Sequence, residues 1–413
     1  MSTTALSTDG LSHLHDVMAA HVASGRLPGL VTLVAQGDDV HVDTIGSRSF
    51  ADRAPLRRTD IFRIASLSKP ITAVAAMSLV EEGVLRLDQP VDGLLPELAH
   101  RRVLRAIDAE LDDTVPADRP ITLEDLLSFR TGFGSVVAPP GTYPIQRAEA
   151  ELGLQSIGGP PWPPVTHDSD SWLAALGSLP LMYQPGDRWL YNSSAQVLGI
   201  LLARAAGKDI GTVLRERVFE PLAMPDTGFT VPADQLDRLT TAYMPDAEDG
   251  ELSVLDDPAD SWWSTPPSFP DSSGWLVSTI DDYWSFVSTL LAGGTLRGRR
   301  ILSPESVTLM TTDRLSTAQR EASRLFLGEH CGWGLGMAAP AMGSTAPLPS
   351  GFGWDGGIGT TWRSHPRSGV TGILLTQRHV TSPVPTALVE DFWGAVNAAT
   401  VPADRTARRA DAP

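Results

Sequence analysis

The feature that most constrains this chain is a pair of apolar hairpins standing at its opposite ends. Residues 30–35 (LVTLVA) and 40–45 (VHVDTI) are β-branched runs separated by Gln36, Gly37, Asp38 and Asp39, which reads as a β-hairpin. Residues 360–365 and 370–377 flank Pro366, Arg367, Ser368 and Gly369 in the same manner. Each hairpin leaves sheet edges that need a partner. The two are about 300 residues apart, far beyond the length of a loop. The simplest way to cover their edges is one antiparallel sheet built from both ends of the chain.

Between the hairpins the spacing turns helical. Residues 66–82 carry Ile71, Val74, Ala75, Met77, Ser78 and Val80, close at Gly83 and place Pro70 in the first turn. Residues 122–129 form a short helix with Glu124 and Asp125 in its first turn. Residues 193–206 are a strongly apolar helix stopped by Gly207, residues 281–291 end at Gly293-Gly294, and residues 386–399 make a final helix to cover the sheet. The expected class is therefore α+β. Residues 1–65 and 272–402 form an antiparallel sheet region flanked by helices, residues 66–271 a mostly helical insert, and residues 403–413 a disordered tail. Two stretches fit no element: 139–171, rich in Pro and Gly with Trp162, and 246–270, acidic with Trp262-Trp263. Such stretches read either as walls of a site or as surface insertions.

Charge and cysteine count exclude several classes. With 32 basic and 49 acidic residues the net charge is -17, and no basic run has aromatic residues suited to stacking on bases, so nucleic acid is not an expected partner. No apolar stretch reaches the roughly 20 residues of a membrane span, and the first residues lack a signal-peptide pattern. No membrane association and a cytoplasmic location are the expectations. Cys331 is the only cysteine, read as a buried structural thiol. His13 and His15 have no accompanying His-Glu-x-x-His pattern or Cys cluster and are placed on an N-terminal helix, so neither metal nor other cofactor is expected. A Gly-x-Ser-x-Gly elbow and a phosphate loop are both absent.

The chemistry sits at Ser66-Leu67-Ser68-Lys69, at the start of an apolar helix. Three residues make almost one helical turn, so Ser66 and Lys69 share a face. A serine hydroxyl is a poor nucleophile until a base takes its proton, and a lysine whose pKa burial depresses can be that base. The helix N-terminus offers free N–H groups to a developing oxyanion. Taken alone, the same four residues also suit an N-cap serine followed by an exposed lysine.

The segment Phe62-Arg63-Ile64-Ala65-Ser66-Leu67-Ser68-Lys69-Pro70, followed by Leu87-Asp88-Gln89-Pro90-Val91, resembles the nucleophile region of class C β-lactamases, penicillin-binding proteins and family VIII carboxylesterases. Ile121 to Leu127 with Thr131-Gly132, then Gln184-Pro185-Gly186 with Tyr191-Asn192-Ser193, continue the pattern in order. Leu276-Val277-Ser278-Thr279 with Asp281-Asp282, and Gly353-Trp354-Asp355-Gly356-Gly357, complete it. The resemblance implies a β-lactamase/transpeptidase-like fold, an acyl-serine mechanism with Tyr191 as proton-shuttling tyrosine, and an oxyanion hole from the N–H groups of Ser66 and Gly357. A phenol beside an ammonium can lose its proton near neutral pH, so Lys69 and Tyr191 would titrate as a coupled pair, and either can be the base.

Two departures bear on substrate. Ser193 stands where the family has Asn, and it suits substrate contact or capping of the following helix. Trp354-Asp355-Gly356 stands at the family's Lys-Thr-Gly or His-Thr-Gly strand; Trp354 cannot attract the carboxylate of a penicillin and Asp355 adds negative charge. Ser193, Trp354, Asp355 and Gly356 are thus the candidate substrate-binding residues, with a small-molecule ester or acyl compound as partner. The expected activity is carboxylic ester hydrolysis through acyl-Ser66, with acyl transfer to an amine or alcohol as the alternative. β-Lactamase or D-Ala-D-Ala peptidase activity, and a non-catalytic binding relative, rank below both. Trp162, Trp262, Trp263 and Trp354 are candidates for drying the site.

Overall fold

In the computed structural model, which describes residues 6–154, 165–246 and 250–400, strand alternation joins the two ends of the chain. Gly29–Gln36 pairs with Asp39–Gly46 on one edge and with Val370–Thr376 on the other, Leu30 lying opposite Thr376 and Gln36 opposite Val370. The sheet continues antiparallel through Thr361–His365, Phe352–Asp355, Ala338–Pro340 and Cys331–Trp333, seven strands in all. The sheet made from both chain ends is thus present. Residues 403–413 and Trp162 lie outside the described residues.

The central strands are buried on both faces, so they read as continuous apolar runs. Leu30, Val34 and Leu374 face one side, where they meet Leu14 and Met18 of the helix Thr8–Ala23 and Phe392, Trp393 and Val396 of the helix Ala387–Ala399. Val31, Leu33, Ile373 and Leu375 face the other side and share a core with Ile71 and Val74 of the helix Ser68–Glu81. That helix is buried from Ser68 to Leu79. Surrounded by protein, it has no solvent face that would need to be polar.

Expected helices recur with their caps. Thr122 caps Leu123–Leu127 through a capping box with Asp125. Ser193–Ala206 ends at left-handed Gly207, and Thr279 caps Ile280–Leu291. Residues 66–271 also hold two hairpins, Arg102–Leu104 with Thr114–Pro116 and Ala242–Pro245 with Leu252–Asp256. The acidic stretch 246–270 takes part in packing: Asp256 forms a buried ion pair with Arg63, whose guanidinium lies 4.7 Å from the ring centre of Trp263, and Trp263 stacks on Trp275 at 4.4 Å. Neither Trp262 nor Trp263 lines the pocket described below; the alternation of acidic and aromatic residues reflects a buried cation and its partners.

Candidate active site

Ser66 belongs to a tight 3₁₀ turn, Ala65–Leu67, rather than to the α-helix itself, which begins two residues later at Ser68. Ala65 has a left-handed φ of 46°, a conformation that a non-glycine residue holds only when its surroundings enforce it. Here they do. Ser68 Oγ donates to Ala65 O (2.7 Å), Ile64 N donates to Leu276 O (3.0 Å), and the Tyr283 hydroxyl donates to Leu67 O (3.2 Å).

Lys69 is almost wholly buried, and its Nζ lies 2.8 Å from Ser66 Oγ and 2.8 Å from Ser273 O. Burial pulls its pKa down to about 7, and the carboxylate of Asp271 offsets part of that fall. Asp271 is itself buried, accepting from Gln196 Nε2 (3.0 Å) and from Ser273 N (2.8 Å). The same loop therefore carries the carbonyl that Lys69 donates to and the charge that tempers its burial. Sequence reasoning did not single out Asp271 or Ser273; the available signal was Asp-Ser-Ser-Gly directly before Trp275 and the 276–279 segment.

Tyr191 precedes the helix Ser193–Ala206 and is followed by Asn192 at φ 79°, a second left-handed residue beside the site. Its ring packs among Phe129, Trp189, Phe326 and Trp354, with centroids 5.1 to 6.1 Å away, and the Lys69 ammonium nitrogen lies 4.6 Å from its ring centre. Its hydroxyl accepts from Trp354 Nε1 (2.9 Å) and shares a hydrogen bond with Ser66. Burial pushes the phenol upward, and the bonds to Ser66 and Trp354 offset only part of that rise. Burial thus opposes the loss of a phenolic proton near neutrality. Ser66 thus shares hydrogen bonds with both Lys69 and Tyr191.

Trp354, one residue before the end of its strand, has its indole N–H committed to Tyr191, so it orients the tyrosine as well as lining the pocket. Asp355 is paired with Arg363 (2.6 and 3.0 Å), so its negative charge is matched rather than presented alone. At Gly356 a Cβ would lie 2.1 Å from Thr360 Oγ1 and 2.7 Å from Ile64 O; a bare backbone is required for the chain to approach the Ala65–Leu67 turn. Gly357 lines the same pocket as Ser66, its carbonyl accepting from Val380 N (2.8 Å). Ser193 stands apart: it is the buried first residue of its helix, the cap position is Asn192, and Ser193 is not among the pocket walls.

Ser66 and Tyr191 open onto a cavity of about 580 Å³. Its walls are Val136 to Pro139, Phe326, and the segment from Val380 to Pro385 after the last strand, which sequence reasoning did not assign. No Lys or Arg is among its described lining residues, and burial holds the lining His379 down to about 4, hence neutral. Cys331 is buried, and its thiol is pushed up by that burial. His15 pairs with Asp43 at 2.7 Å on the N-terminal helix, and among the described residues no group of three or more His, Cys, Asp or Glu could hold a metal ion.

Comparison with known proteins identifies relatives of the chain. The chain is 40% identical to Protein Rv1367c of Mycobacterium tuberculosis over 364 residues, 86% of each chain. It is 27% identical to esterase EstB of Burkholderia gladioli, covering 91% of this chain and 93% of that one. Among solved structures it matches EstCE1, a hydrolase with promiscuous acyltransferase activity, at a TM-score of 0.75 and 24% identity over 94% of this chain and 98% of that one. Residues 14–389 match the family model described as Beta-lactamase, and the chain belongs to the β-lactamase family.

Proposed function

We propose that the chain hydrolyses uncharged carboxylic esters through an acyl-Ser66 intermediate. The observation that carries this reading is Lys69 Nζ 2.8 Å from Ser66 Oγ, with burial drawing the lysine to about 7, at the floor of an apolar pocket with no cation among its described lining residues. Neutral Lys69 accepts the Ser66 proton as Oγ attacks the ester carbonyl carbon. The N–H groups of Ser66 and Gly357 receive the oxyanion. Collapse breaks the bond to the alcohol oxygen, which takes a proton from Tyr191, and Lys69 returns its proton to the phenol. Water then repeats the sequence on the acyl-serine and frees the acid.

Penicillin and D-Ala-D-Ala peptide chemistry fits less well, since a substrate carboxylate would find Asp355 and neutral His379 rather than a cation. A purely binding role does not call for Ser66, Lys69 and Tyr191 in hydrogen-bonding reach. Acyl transfer is the second reading: apolar walls beside Ser66 favour an organic alcohol over water as acceptor, and a relative 25% identical over 388 residues is named acyltransferase calJ, from Penicillium decumbens. The proposed setting is the cytoplasm, consistent with a single, buried cysteine; no helix among the described residues is long and apolar enough to cross a membrane. The test is turnover of p-nitrophenyl butanoate beside nitrocefin, with and without added 1-butanol. Ester turnover far above nitrocefin turnover is expected, and butyl butanoate as product would select the transfer reading. Nitrocefin turnover equal to that of the ester would overturn the proposal.

A further inference from the structure

Three exposed apolar side chains ring the mouth of the catalytic pocket. Val137, Leu325 and Val384 all line it, yet they are 65%, 44% and 51% exposed, as residues at an entrance must be. They come from three separate parts of the chain: the loop after Ser135, the short helix Arg324–Leu327, and the segment following the sheet. Large apolar residues left in water at one site mark a surface that a ligand covers. The wall behind them is mainly apolar, with Val136, Ala138 and Pro139 on one side and Val380, Pro383 and Pro385 on the other, interrupted by the uncharged Thr381 and Ser382. Asp355, the one carboxylate among the described lining residues, is held by Arg363. An anionic tail would find no cation among the described lining residues, and a short acyl group would leave both the inner walls and the rim wet.

We infer that the substrate of this site is an ester bearing a long, uncharged alkyl chain, which runs from Ser66 along the apolar walls and out across the rim of Val137, Leu325 and Val384. This rests on the hydrolase reading and names its substrate class. Each methylene transferred from water to such a wall contributes roughly a fourfold gain in kcat/KM while wall remains to be covered.

The experiment is a series of p-nitrophenyl esters from acetate through butanoate and octanoate to decanoate, and a parallel series of alkyl acetates, all below their micelle-forming concentrations. One series should rise steeply with length and level off only at the long end. The triple variant Val137→Ser, Leu325→Ser, Val384→Ser should lower the decanoate-to-acetate ratio, or its alkyl counterpart, by roughly tenfold. Because all three positions are exposed, the fold should tolerate the changes. Acylation of Ser66 with rates flat or falling beyond butanoate in both series would overturn the inference and leave the hydrolase reading standing. An unchanged ratio in the triple variant would likewise overturn the rim's part in it. No acylation of Ser66 by any ester would remove the hydrolase reading itself.

Discussion

Gly356→Ala adds one methyl group where the structure has no room for it. The new Cβ would lie 2.1 Å from Thr360 Oγ1 and 2.7 Å from Ile64 O, and those two atoms are joined by a 3.2 Å hydrogen bond from the threonine hydroxyl. Thr360 can rotate its hydroxyl away at the cost of that bond, about 1 kcal/mol. Ile64 O is backbone and cannot, so the strand end must retreat from the nucleophile turn. The overpacking should cost about 1–3 kcal/mol of stability. Retreat also carries Gly357 N away from the carbonyl oxygen, and losing one oxyanion donor lowers turnover by a factor of about 100 to 1,000. The assay is kcat on one p-nitrophenyl ester, with thermal unfolding followed by circular dichroism. Adding Thr360→Ala relieves the hydroxyl clash but not the backbone one, so it should restore part of the stability and little of the turnover. If Gly356→Ala alone keeps kcat within about threefold of the parent, the oxyanion hole is not where this account puts it.

The pH dependence follows from Lys69. With its folded-state pKa at about 7, the neutral amine is the minority form below that pH and dominates above it, so kcat/KM should rise through pH 7 and plateau on the alkaline side. Asp271→Asn removes an anion that favours the ammonium, which should move this limb to lower pH; a merely structural role for Asp271 would lower the rate and leave the limb in place. Tyr191→Phe should lower turnover by roughly 100 to 10,000-fold, as should Lys69→Ala, and the double variant should lose far less than the product of the two. Additive losses in that cycle would show that the two groups do not act as one proton-transfer unit.

Much of this was legible from the residues. The apolar, β-branched runs at 30–35 and 370–377 pointed to the sheet shared by both chain ends, since mutual pairing is the simplest way to cover those edges. Gly207 marked a helix end because a glycine there can turn left-handed and satisfy the last backbone groups locally. Other features were set by tertiary contacts that no local pattern carries. Ser66 lies on a 3₁₀ turn because Ser68, Leu276 and Tyr283 pin the backbone there. The distant Asp271 loop reaches Lys69 only after folding. Trp262 and Trp263 were candidates for drying the site, but Trp263 is buried against the Arg63–Asp256 pair and Trp262 donates its backbone N–H to Asp256, a partnership invisible across nearly 200 positions. The phenol of Tyr191 looked easily ionised beside a lysine; the degree to which both are buried, which reverses that expectation, appears only in three dimensions.

The central claim is that Ser66 carries the acyl group, and intact-mass spectrometry tests it most directly. The protein is quenched in acid within the first turnovers of a p-nitrophenyl ester, weighed, and mapped by proteolysis. A single added acyl group is expected on the peptide containing Ser66, absent from the Ser66→Ala variant, which should also have lost ester turnover. An acyl group on another residue, or full turnover by Ser66→Ala, would contradict it.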